Sequence, residues 1–131
     1  MKNVLFFSLW VVVAIGLISC EGGTTFTKTI TNNSSETLTV ELFTSTFSTP
    51  TTTTIAPNET KDIFWNDQLG GFVDDTYNCI TDIDSVNVTV TNNKVLQKDL
   101  DSSATWTLDS KKDSRNSFEK CTCTITDDDL N

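Results

Sequence analysis

There is no histidine among these 131 residues, and 9 basic side chains stand against 18 acidic ones. The missing histidine removes the base that serine and cysteine nucleophiles normally recruit. It also removes one of the two usual zinc ligands. The shortage of lysine and arginine leaves a net charge of −9, which repels nucleic acid and anionic membrane surfaces alike. Apolar residues are scarce as well once one end is set aside. They make up 37 % of the chain, but 15 of them fall in positions 1 to 20, and the other 111 residues are roughly 30 % apolar, low for a folded domain. No internal repeat is evident, and between Thr24 and Ile125 there is no convincing helical pattern.

What is present begins with the first twenty residues. Met1-Lys2-Asn3 is a short basic head, and "VLFFSLWVVVAIGLI" (4 to 18) is apolar or small throughout. Fifteen residues at the helical rise reach roughly 22 Å, short of the ~30 Å hydrocarbon core. A secretory signal peptide fits better than an uncleaved anchor. Leu17-Ile18-Ser19-Cys20 then resembles the bacterial lipobox. That resemblance implies removal of residues 1–19 and attachment of acyl chains, palmitate among them, to Cys20. Residues 20–24, Cys20 and "EGGT", are expected to be a flexible tether, and 25–131 a single domain. Without Lys2 the remaining charge is −10.

The domain reads as strands. Alternation at period two puts Phe26 and Ile30 on one face of 25–31. It likewise aligns Leu38, Val40 and Leu42 in 37–44, and Val86, Val88 and Val90 in 84–91. Ile63 and Trp65 are expected to share the buried face of 59–65. Pro50 and Pro57 confine 44–60 to an edge strand or loop. The acidic, glycine-paired stretch 66–78 reads as a long surface loop. Asn92-Asn93 suits a two-residue hairpin turn, with 94–100 returning as a strand. "ATWTL" (104 to 108) and "EKCTCTIT" (119 to 126) complete the set, joined by a charged link. The expected fold is all-β, a small antiparallel sandwich of seven or eight short strands, Ig-like in plan.

With Cys20 lipidated, three cysteines remain, so at most one internal disulfide forms. Cys121 and Cys123 lie two apart on one strand, point to one face, and cannot easily bridge each other. Cys79 is therefore one partner. Cys121, nearer the strand's entry, is the preferred other, leaving Cys123 as a small core residue. Zinc finds too few ligands at irregular spacing. The acid groups Asp74-Asp75, Asp82/Asp84 and Asp127-Asp128-Asp129 lack calcium-loop spacing and read as solvated turns. Neither metal nor cofactor is expected.

Trp65 and Trp106, each within an alternating strand, are expected in the core. Phe72 and Tyr77, in the acidic loop, are the candidates for ligand-facing aromatics. Asp84-Ser85-Val86 resembles the acceptor of Bacteroidetes O-glycosylation. "IDSVNVTVTNNKVLQKDL" and "CTCTITDDDLN" resemble small β-rich lipoproteins of Bacteroidetes, over residues 59 to 131. The resemblance implies a lipid-anchored protein of the cell envelope, outer membrane included, and assigns no catalytic residue. The function expected is a non-enzymatic binding or interaction module with a protein or glycan partner. The alternative is an assembly subunit of a surface or fimbrial structure, pairing through an edge near 44 to 56.

Overall fold

The computed structural model describes residues 22–70 and 77–131. Seven strands follow in order: β1 Gly23–Asn33, β2 Leu38–Phe43, β3 Thr51–Ile55, β4 Glu59–Leu69, β5 Ser85–Val90, β6 Thr107–Asp113 and β7 Asn116–Thr126. They form two sheets, β4-β1-β7-β6 and β3-β2-β5. Short 3-10 turns at Thr91–Asn93, Ser103–Thr105 and Asp127–Asp129 are the other regular pieces among the described residues. This is the small all-β sandwich the alternation implied. One pair departs from the antiparallel rule: β1 runs parallel to β7.

The core lies where the inward rows of the two sheets meet. Ile30, Cys121, Cys123 and Ile125 from one sheet pack with Leu38, Val40, Ile55 and Val90 from the other. Ile30, Leu38, Ile55 and Ile125 are wholly buried, each stabilising the fold by about 1.5–3 kcal/mol. On β5, Val90 is buried, Val86 and Val88 half-buried, and Asn87 and Thr89 exposed, so its faces divide as expected. β3 is an edge strand, flanked by Pro50 and Pro57 as that role requires.

Four local expectations fail, each for a physical reason. In the pairing of β1 with β4, Lys28 faces Phe64 but Thr29 faces Asp62, leaving Ile63 as an extra residue. Such a bulge reverses the parity of everything beyond it. Ile63 and Phe64 are therefore both buried, and Trp65 is turned to solvent with 59 % of its surface exposed.

Asn92 and Asn93 do adopt φ of 57° and 56°, and Lys94 N–H closes the turn on Thr91 O at 3.3 Å. The return strand, however, does not form beside β5. Lys94 is held 2.9 Å from the Glu36 carboxylate, which carries the chain away. Val95 then exchanges backbone bonds with Asn131 at 2.7 and 3.1 Å.

Of residues 104–108 only Thr107 and Leu108 are strand, as the start of β6. The Ser103–Thr105 turn leads into β6, and buried Trp106 between them donates its indole N–H to Leu100 O at 2.9 Å. The charged link is itself a hairpin, in which Asp113 faces Asn116 across Ser114-Arg115. Every residue of β6 is exposed, so it had no apolar alternation to reveal it. Finally, β1 begins at Gly23 and β4 reaches Leu69, its partner. Two residues assigned to the tether, and four assigned to the surface loop, are strand.

Candidate binding face

On β1 the even residues Thr24, Phe26, Lys28, Ile30 and Asn32 are buried. Of the odd ones, Thr25, Thr27 and Thr31 are half-buried on the sheet's outer side, while Thr29 is buried. Register then fixes two outer rows. Trp65, Thr27, Lys120 and Asp109 make one, and Asp67, Thr25, Phe118 and Lys111 the next. Phe118 is 44 % exposed and Leu69, opposite Gly23, 88 %. Trp65 and Phe118 are separated by β1, two strand spacings of ~4.8 Å, and by one row of ~7 Å, which sets them roughly 12 Å apart. A hollow of about 300 Å³ lies at the lower end of this face, lined by Gly23, Thr25, Asp67, Leu69 and Phe118 among others. The result is a flat surface with aromatic rings set among threonine, aspartate and lysine. It offers ring faces for stacking beside hydrogen-bonding groups.

Behind the same sheet lies a polar interior. Lys28 is wholly buried. Its ammonium donates to Tyr77 Oη at 2.9 Å and sits 4.7 Å from the centre of the Phe64 ring, a cation–π contact. Burial brings its pKa down to about 8 from 10.5, against the opposing pull of Asp82. Tyr77 is shifted the other way, upward, by burial and then by the negative charges of Asp82 and Glu119. Glu119, also buried, accepts from Ser110 Oγ at 2.8 Å and Ser117 Oγ at 2.6 Å. Lys28 follows the inward parity of Phe26 and Ile30, so its position could have been read from the alternation. The outward turn of Trp65 could not, because nothing in "DIFWN" marks which residue is the extra one.

Of the two aromatics proposed to meet a ligand, Tyr77 is half-buried with its ring 4.9 Å from Phe26. Phe72 lies outside the described residues, as do Cys20 and Asp74-Asp75. Cys79 and Cys121 form the expected disulfide. Cys123 is a buried free thiol, and burial pushes its pKa up to about 11. Ser85 is half-buried at the start of β5, opposite Phe43.

The terminal acids are engaged in the fold. Asp127 accepts from both the amide and the hydroxyl of Ser35 at 2.8 Å, and Asp129 from Lys98 at 2.8 Å. Among the described residues no group of three or more cysteines and acids is placed to hold a metal ion. The chain matches no protein-family model, no curated protein and no solved structure.

Proposed function

We propose that this is a lipid-anchored protein of the cell envelope, held at the outer membrane through Cys20. It acts as a non-enzymatic interaction module whose contact face is centred on Trp65. The observation that carries this reading is the exposure of Trp65, 59 %, on a regular strand among polar neighbours. Burying that indole on a partner would stabilise a complex by a few kcal/mol, in the manner of an interface anchor. A partner with a flat apolar face edged by hydroxyls, as a saccharide has, suits the row Trp65-Thr27-Lys120.

The test is a titration of soluble chain starting at Glu21 with envelope glycans and peptides, followed by Trp fluorescence and amide NMR. Saturable shifts at Trp65, Thr27 and Lys120, abolished in Trp65→Ala, are the expected result. Shifts confined to other surfaces would remove this face from the binding role.

The assembly reading retains one observation of its own. β6 is an edge strand exposed along its whole length, and so presents an open row of backbone donors and acceptors. Concentration-dependent polymers in analytical ultracentrifugation would favour it, and a monomer at all concentrations would discard it.

A further inference from the structure

The chain is fixed in place almost up to the cysteine. Gly70 N–H donates to Gly22 O at 2.9 Å, and Gly23 N–H donates to Asn116 Oδ1 at 3.2 Å. A Cβ on Gly22 would lie 1.6 Å from the Arg115 carbonyl oxygen, so only glycine passes between the hairpin tip and β4. From Gly22 back to Cys20 there are two peptide links, at most ~7 Å when fully extended. A lipid on Cys20 therefore leaves no slack. The part of the sandwich around Gly22 must stand within that reach of the lipid surface.

That end carries features suited to such a neighbour. Leu69 is 88 % exposed and Phe118 44 %. The hairpin from Thr107 to Lys120 has four basic and three acidic residues, a net +1, while the rest of the chain from Glu21 onward carries −11. The stretch nearest the anchor is thus weakly basic in a chain that is acidic as a whole. Apolar tips beside basic residues are what a bilayer interface accepts.

We propose that the end of the sandwich formed by Leu69, Arg115 and Phe118 rests against the phospholipid surface into which the Cys20 acyl chains insert. This rests on the lipid anchor proposed above. β1 then rises from the membrane, and its 11 residues place Asn33 about 33 Å from Gly23 along the strand.

The experiment uses the processed, full-length protein in vesicles of phosphatidylcholine with a minority of phosphatidylglycerol, the phosphatidylcholine brominated on its acyl chains. Two reporters are compared, Leu69→Trp and Asn33→Trp, each with Trp65→Phe, and Trp106 in the core is the common background. Intact mass is measured on the same samples. With acylated Cys20, emission from Leu69→Trp should fall by about half, as for side chains held at the headgroup boundary, and Asn33→Trp should be unquenched. Acylated protein with equal quenching at both positions, or with none at Leu69→Trp, would overturn the orientation and leave the anchor standing. An unmodified Cys20 would overturn both.

Discussion

At one end of β1 the Asn32 side chain is wholly buried, and its amide donates to the carbonyls of Glu36, Ile55 and Ala56 at 2.8 to 3.1 Å. Its oxygen accepts from Ser34 N–H and Ser34 Oγ. Beside it, Glu36 accepts from Thr91 Oγ1 at 2.6 Å and Asn92 Nδ2 at 2.8 Å, and pairs with Lys94. Those donors, Thr91 first, hold the Glu36 carboxyl below its ordinary pKa.

At the other end Gly23, an exposed leucine and an exposed phenylalanine line a hollow. The first end closes its turns with its own side chains, leaving little for a partner to satisfy. The second leaves apolar surface open. A strand with one end completed internally and the other left unfinished points to where contact with something else is made.

The largest blow to that contrast should come from Asn32→Ala. It removes five hydrogen bonds and strands buried carbonyls, costing about 3 kcal/mol, read as a lower urea midpoint in the chain starting at Glu21. A loss below about 1 kcal/mol would mean that water replaces the asparagine and that this end is less closed than it looks.

Lys28 sharpens the comparison from inside the open half. Its folded pKa of about 8 lies below 10.5, so from pH 8 to 9 the unfolded chain binds more protons and stability rises with pH. The gain is about 1 kcal/mol. Above pH 9 the Cys123 thiol, raised from 9.0 to about 11 by folding, ionises first in the unfolded chain and opposes further gain. Lys28→Met should abolish the rise and be at least as stable as wild type at pH 7. Urea midpoints measured at pH 7, 8 and 9 check both statements.

Smallest of all should be the stability effects of Leu69→Ser and Trp65→Ala, each within about 0.5 kcal/mol. A larger loss at either site would show that the open end is part of the core after all.

Sequence reasoning succeeded where one face of a strand is more buried than the other along its whole length. Leu38-Val40-Leu42 and Val86-Val88-Val90 gave faces that the fold keeps, and two cysteines on one strand singled out Cys79 as one disulfide partner, with Cys121 preferred over Cys123 only for its place near the strand's entry. It failed where the information is not periodic. The bulge at Ile63 is a matter of pairing between distant strands, invisible in either strand alone, and it moved Trp65 from the core to the surface. β6 was missed because its strand character comes from backbone bonds to β7, with no apolar stripe of its own. The candidate face was legible only in its residue types. Trp65, Thr27, Lys120 and Phe118 become neighbours through register.

The parallel pairing of β1 with β7 also has a kinetic side. Gly23 and Asn116, joined by a hydrogen bond, are 93 residues apart in the chain. β1 also needs β4 on its other edge. Its β7-facing edge therefore stays unpaired until residues 116–126 have been synthesised. Closing so long a loop before any contact rewards it makes for slow folding, as in other sandwiches dominated by distant pairings. In the interval the alternating threonines of β1 and β2 would leave an emerging chain with interrupted apolar stretches, a composition that resists aggregation better than continuous ones would.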